Sequence, residues 1–231
     1  MKPIKKLIWF IGKIILWFFF LSIGLTILYR FVPVPFTPLM VIRMVEQASD
    51  GQRQVLVHKK WKPMKEISRH LPQAVVASED QKFMSHFGFD TEEIQKAMKD
   101  REAGRRVRGA STISQQTAKN VFLWPGKNFV RKGLEAYFTL LIEVIWPKER
   151  ILEVYLNVIE MGDGIYGVEA ASQFYFKKEA AKISRQEAAL IAAVLPNPLR
   201  WSPSKPTAYI RTRQNWIMRQ MNNLEQLPFG Q

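Results

Sequence analysis

The feature that most constrains this chain is "LIWFIGKIILWFFFLSIGLTILY", residues 7–29, a nearly unbroken apolar run. At about 1.5 Å per residue, a helix of this length reaches roughly 34 Å, enough to cross a hydrocarbon layer of about 30 Å. Lys13 interrupts the run close enough to its start for the ammonium to snorkel toward the headgroups. No small-x-small cleavage site follows, which favours a retained anchor over a removed signal peptide. Lys2, Lys5 and Lys6 precede the span and only Arg30 follows it directly. The positive-inside bias then predicts a cytoplasmic N-terminus and an external residue 31–231 segment. The organisation read from this is a cytoplasmic tip and transmembrane anchor over 1–30, a linker and membrane-proximal segment over 31–60, and a globular domain over 61–231. Three prolines in "FVPVPFTPLM" predict a stiff connector after the anchor. Residues 31–231 are expected to fold without the anchor.

The 231 residues suffice for one medium domain plus this appendage. There is no cysteine, which rules out disulfides and thiolate metal sites. His58, His70 and His86 show no metal-ligand spacing, so no metal site is read from the sequence. Net charge is +14; five of the bases lie in residues 1–30, which hold no acid, leaving +9 on the rest of the chain. Such a surface suits phospholipid, nucleic acid or a phosphorylated substrate, and charge alone does not choose among them.

Hydrophobic periodicity predicts a mainly α domain. In "KERILEVYLNVIE" (148–160), Ile151, Val154, Tyr155 and Val158 recur at i, i+3, i+4 and i+7. "GLEAYFTLLIEVIW" (133–146) aligns Leu134, Phe138, Leu141 and Ile145. "SRQEAALIAAVL" (184–195) opens with the capping box of Ser184 and Glu187 and stops before Pro196. Only "RQVLVHKKW" (53–61) alternates as a strand would.

Three stretches could carry chemistry. In "AVVASEDQKFMSHFGFD" (74–90) an apolar run leads straight into Glu79 and Asp80. The pair either ends a helix in water or is held at the wall of a cleft. In "GRRVRGASTISQQTAKN" (104–120), Arg105, Arg106 and Arg108 precede a capping box of Thr112 and Gln115. A helix starting there would present free N–H groups and a positive dipole end, with Gln115, Gln116 and Lys119 following the cap on one face. This would suit a phosphate; a solvated basic loop before a well-capped helix is the plainer reading. Glu135 begins an apolar helix, where a carboxylate commonly serves the dipole; a functional role needs a cation, for which Lys119, Lys127 and Arg131 are candidates. "SPSK" (202–205) matches a Ser-x-x-Lys pattern by chance, since no Ser-x-Asn or Lys-Thr-Gly accompanies it.

Taken in order, "ASEDQKFMSHFGFD", "RGASTISQQTAKN", "RKGLEAYFTLLIE", "KERILEVYLNVIEMGDGIYGVEAAS" and "AALIAAVLPNPLRWSP" resemble the peptidoglycan glycosyltransferase family. The similarity is greatest to its membrane-anchored, single-domain members, the monofunctional biosynthetic peptidoglycan transglycosylases. It implies a lysozyme-like α fold of two lobes around a cleft, formed by residues 61–231. The implied reaction polymerises lipid II into glycan strands by inverting glycosyl transfer, with release of undecaprenyl diphosphate. Carried over by motif, Glu79 is the catalytic base and Glu135 the second essential carboxylate. Ser111, Thr112, Gln115, Gln116 and Lys119 match the diphosphate-facing helix, with Lys96, Lys127 and Arg131 as further substrate-binding cations. Lys96 and Lys127 stand where members often have arginine, which keeps charge but loses bidentate phosphate contacts. Leu134 stands where some members have lysine. The resemblance implies no required cofactor, with Mg²⁺ or Mn²⁺ as an optional stimulant. Implied partners are lipid II, the growing glycan chain, membrane lipids, and cell-wall synthesis or division proteins, with no nucleic acid. The implied location is the bacterial inner membrane, single-pass, with the catalytic domain in the periplasm.

The chemistry needs what these residues offer. A diphosphate leaves readily once its charge is held, so the reaction calls for preorganised cations and a base for the acceptor hydroxyl. On this reading "AVVA" fixes Glu79 at the cleft wall, Asp80 supports it by hydrogen bonds, and His86 is a structural partner. Two rivals remain: a lysozyme-like lytic enzyme, which would need a general acid and little phosphate-binding charge, and a membrane-tethered binder of anionic polymers. No nucleic-acid recognition motif supports the latter.

Overall fold

The computed structural model describes residues 2–50, 56–105, 109, 111–126 and 128–229. Helix α1 (Lys2–Phe31) is followed by α2 (Pro38–Ser49), strand β1 (His58–Lys59), α3 (His70–Glu79), α4 (Thr91–Glu102), α5 (Ile113–Phe122), α6 (Phe129–Ile145) and α7 (Lys148–Val158). Strands β2 (Glu160–Gly162) and β3 (Ile165–Tyr166), then α8 (Gly167–Phe176), α9 (Arg185–Val194) and α10 (Ala208–Asn223), complete the order. The domain is mainly α, as the periodicity predicted.

The helices pack in two groups that share one hydrophobic core. In the first, α3 lies against α9 and α10. Every residue of α3 from Leu71 to Ala77 is buried, and it meets the fully buried Ala188, Ala189, Ala192 and Ala193 of α9. Small side chains on both helices let the backbones approach closely, and each fully buried Val or Leu contributes about 1.5–3 kcal/mol. In the second group, α5 packs on α6 and α7. The predicted stripe of α7 is its core face: Ile151, Val154 and Tyr155 are 0 % exposed.

The sheet is smaller than the alternation over 53–61 suggested. Residues 53–55 lie outside the described residues, and only His58–Lys59 is strand, parallel to β3, with β2 antiparallel on β3's other side. The hairpin of β2 and β3 turns at Asp163-Gly164, where Gly164 adopts φ +69°; a Cβ there would lie 2.3 Å from the Leu56 carbonyl oxygen. The connector also differs from expectation. Thr37 caps α2 by accepting from the Met40 N–H, and Pro38 fills its first turn. Proline is favoured there because its missing N–H is not needed, so the third proline starts a helix instead of stiffening a linker.

Among the described residues α1 is the one helix long and apolar enough to span a membrane. It is not a free tether. Ser22 Oγ lies 2.7 Å from Tyr137 Oη of α6, the Trp146 indole N–H donates to the Thr26 carbonyl at 2.7 Å, and Arg30 donates to the Ile145 carbonyl at 2.6 Å. Arg150 holds the end of the helix by donating to the carbonyls of Tyr29 and Val32. Thr26 is fully buried, whereas Leu16 and Phe20 are 69 % and 66 % exposed. The small polar residues of the anchor therefore face the domain, together with Phe18 and Phe19, whose rings meet Tyr137 and Phe138, while Leu16 and Phe20 face outward. The anchor thus docks on α6 and on Arg150 of α7.

Candidate active site

Glu79 is the last residue of α3, set by the buried helix behind it. Its side chain is 14 % exposed. Both carboxylate oxygens have donors. Ser78 Oγ donates to Oε1 at 3.0 Å, and Arg213 Nη2 of α10 lies 3.5 Å from the same oxygen while donating to Ser78 Oγ at 3.0 Å. On the other side, Gln116 Nε2 of α5 donates to Oε2 at 3.3 Å. Glu79 thus stands where the first helix group meets the second.

Asp80 does something different from the support of Glu79 that was expected. Its oxygens lie 2.9 and 3.0 Å from His86 Nε2, and Oδ2 accepts the Ile113 N–H at 2.9 Å. With helical backbone ending at Glu79, Asp80 sits at φ −163°, which turns its side chain toward α5. His86 is its structural partner.

The first turn of α5 is consequently occupied. The predicted capping box is present: Gln115 N–H donates to Thr112 Oγ1, and Gln115 Oε1 accepts the Thr112 N–H. Thr112 Oγ1 also donates to the Gly88 carbonyl at 2.6 Å. Gly88 (φ +79°) must be glycine, because a Cβ would fall 2.8 Å from Thr139 Cγ2. Thr112 and Gln115 are 3 % and 5 % exposed, so both work inside the protein. Of the N–H groups expected to be free here, that of Ile113 is taken by Asp80 and that of Gln115 by the cap, so a carboxylate of the chain itself sits at this helix end. Ser114, in the same turn, bonds to buried Glu143, which pairs with Lys148 at 2.8 Å. Ser111 is exposed at the mouth of this turn.

Cations gather farther along α5 and across on α6. Glu135 is 3 % exposed and accepts from Arg131 Nη1 at 2.8 Å and from Lys132 Nζ at 2.5 Å. Arg131 and Lys132 precede it by four and three residues, the spacing that makes helix neighbours. Lys119 of α5 faces the same group. Burial pushes its ammonium pKa below the usual lysine value, Glu135 pulls it back up, and Arg131 and Lys132 push it down. Two cations thus pair with one carboxylate whose charge also acts on Lys119, and Arg131 Nε is buried with no hydrogen-bond partner among the described residues.

The remaining candidates lie elsewhere. Lys96, on α4, pairs with Glu93 at 3.1 Å in an exposed ion pair. Lys127, Arg106 and Arg108 fall outside the described residues. Among those described, no three His, Asp or Glu side chains come together to hold a metal.

The family model described as Transglycosylase matches residues 47–222, more than half the chain. The chain belongs to the transglycosylase family. A protein named biosynthetic peptidoglycan transglycosylase from Bacteroides thetaiotaomicron is 54 % identical over 226 residues, covering 98 % of this chain and 91 % of its own. One of the same name from Bdellovibrio bacteriovorus is 57 % identical, covering 90 % and 83 %. Another, from Pseudomonas fluorescens, is 52 % identical, covering 92 % and 88 %.

In this transglycosylase the structure brings together residues that motif reading did not select. Lys132 carried a signal, since it lies three residues before Glu135 on the same helix. Arg213 carried none: it is 135 positions from Ser78, and only the packing of α10 on α3 brings them together. Tyr155 was read as core stripe, and its ring is core, yet its hydroxyl donates to Gln116 Oε1 at 3.1 Å.

Proposed function

We propose that the chain polymerises lipid II, joining disaccharide-pentapeptide units into peptidoglycan strands with release of undecaprenyl diphosphate. One observation carries this. Gln116, which touches Glu79, and Lys119, which faces Glu135, are neighbours on one face of α5, about 5 Å apart along its axis. A base and a cationic pocket therefore stand a single turn apart.

The reaction follows from that arrangement. Glu79 takes the proton of the acceptor sugar's 4-hydroxyl as its oxygen attacks the donor's anomeric carbon. The bond from that carbon to the diphosphate breaks on the opposite face, so an α-linked donor yields a β-linked product in one inversion and needs no covalent enzyme intermediate. Lys119, Arg131 and Lys132 hold the charge that develops on the diphosphate. Glu135 fixes the latter two in place before the substrate arrives, which is the preorganisation such catalysis requires.

The anchor suits a lipid-borne substrate. With Lys2, Lys5 and Lys6 on the cytoplasmic side, residues 31–231 lie in the periplasm beside the inner membrane. In α6 the exposed Phe129 and Val130 immediately precede Arg131, which sets apolar side chains next to the cations. This matches a substrate with a polyprenyl chain joined to a diphosphate.

The test is incubation of the purified full-length protein with labelled lipid II in detergent. Polymer with released undecaprenyl diphosphate supports the reading. Shortening of preformed glycan would replace it with a lytic enzyme, and salt-dependent retention of DNA without turnover would replace it with an anionic-polymer binder.

A further inference from the structure

Behind Gln116, the α5 residue that touches Glu79, lies α7, which has no part in the chemistry described so far. Tyr155 of α7 is fully buried, with its hydroxyl 3.1 Å from Gln116 Oε1. Gln116 Nε2 in turn reaches Glu79 Oε2 at 3.3 Å and the Ser111 carbonyl at 3.5 Å. The direction of this chain is fixed by its members. Glu79 and the Ser111 carbonyl only accept, so the amide must turn its NH₂ toward them. Its oxygen is then left facing Tyr155, which must donate. Burial, together with the carboxylates of Glu79 and Asp80, holds the Tyr155 phenol well above its usual pKa and keeps it a donor. Reversing the amide would set its oxygen against two acceptors and leave the buried tyrosine proton without an acceptor, a cost of about 1–3 kcal/mol for each unsatisfied group.

We infer that Tyr155 is a positioning residue for the base, acting through Gln116: it locks the Gln116 amide so that one N–H points at Glu79 Oε2. The two oxygens of Glu79 are then held from opposite sides, Oε1 by Ser78 and Arg213 and Oε2 by Gln116. Two anchored oxygens fix the carboxylate plane and hence the lone-pair direction offered to the acceptor hydroxyl. Gln116 had been read as a diphosphate-facing residue of α5; here it orients the base from the α5 side. The inference rests on the polymerase reading, because it concerns how that reaction's base is aimed.

Full-length protein carrying Tyr155→Phe, Gln116→Met or both would be assayed on lipid II in micelles, with kcat and KM separated and thermal melting recorded. Tyr155→Phe keeps the buried ring and removes one oxygen. It should melt with the parent, leave KM unchanged and lower kcat roughly tenfold, below the ~10²-fold that an ångström-scale misplacement can cost. In the Gln116→Met background the same change should cost nothing further, because its intermediary is gone. Parental kcat in Tyr155→Phe would overturn the inference, as would a loss that multiplies in full with that of Gln116→Met. Should Tyr155→Phe melt early, Gln116→Glu decides: it puts an acceptor where Glu79 needs a donor and must lose more kcat than Gln116→Met, equal losses overturning the relay. A parent enzyme that makes no polymer sinks the polymerase reading and the relay with it, whereas an active parent with unaffected variants sinks the relay alone.

Discussion

Asp80 accepts the backbone N–H of Ile113 at 2.9 Å, so the residue that ends α3 also closes the first turn of α5, thirty-three positions away. His86 holds the same carboxylate from the other side. This joint sets α5, and with it Gln116 and Lys119, relative to Glu79. Replacing Asp80 by alanine strands a buried N–H and the His86 ring. The expected cost is about 2–3 kcal/mol of stability, typical of losing hydrogen bonds to a charged group, together with a fall in turnover. Denaturant unfolding measures the first and polymer formation the second; an unchanged unfolding midpoint would show that the joint does not hold the two helices.

Glu79→Gln keeps the side chain's size and its contact with Ser78 but removes the basic oxygen. Polymerisation should fall by ~10²–10⁴, the usual contribution of a positioned base, while the melting temperature stays at the parental value. Near-parental turnover would remove Glu79 from the base role.

Lys119→Ala and Glu135→Gln should each cost ~10²–10³ in rate, the scale for removing a preorganised group from a site of developing charge. They should also fail to multiply. Glu135 raises the Lys119 pKa against burial and fixes Arg131 and Lys132, so its loss already weakens the pocket that Lys119 completes. A double-mutant cycle on kcat measures the coupling. Strict multiplication of the two losses would mean that they act separately.

Removing residues 1–30 uncovers Tyr137 and Trp146, which α1 bonds directly. The shortened chain should melt below the full-length protein, require detergent to stay dispersed, and no longer float with liposomes. Parental melting in plain buffer would mean that the docking of α1 on α6 contributes nothing to the fold.

Stability at alkaline pH should rise and then fall. Burial lowers the Lys59 pKa to about 8, and Lys119 is also shifted down. Above pH 8 the folded state therefore holds fewer protons on Lys59 than the unfolded chain, whose lysines titrate near pH 10.4, and unfolding free energy grows with pH. Tyr155 and Tyr166 are shifted up by burial, so above pH 10 the unfolded chain loses phenolic protons that the folded state keeps, and stability declines. Lys59→Met should flatten the rising limb in chemical unfolding followed from pH 7.5 to 10. A limb of the same slope in that variant would exclude Lys59 as its source.

Local signals in the sequence settled a good deal. The length and apolarity of residues 7–29 set α1, and hydroxyl caps answered three residues later by Gln115 and Glu187 set the starts of α5 and α9. Periodicity gave the buried face of α7, and the resemblance pointed to Glu79 and Glu135. The caps and the periodicity depend on residues within one or two helical turns of each other, and the span and the motifs on contiguous runs of sequence. What only the tertiary structure decided depends on side chains from distant segments sharing one space. Asp80 and Glu79 are adjacent and chemically alike, yet one turns to His86 and α5 while the other meets Gln116 and Arg213. The side chains of Ser22 and Thr26 look unremarkable in an apolar helix until α6 covers them. Tyr155 reads as core because its ring is core; its hydroxyl has a role only because α5 brings Gln116 within 3.1 Å. A helix period records which face is apolar, but not which polar atom waits across the interface, and that partner determines whether a carboxylate meets Gln116 and Arg213 or caps a helix.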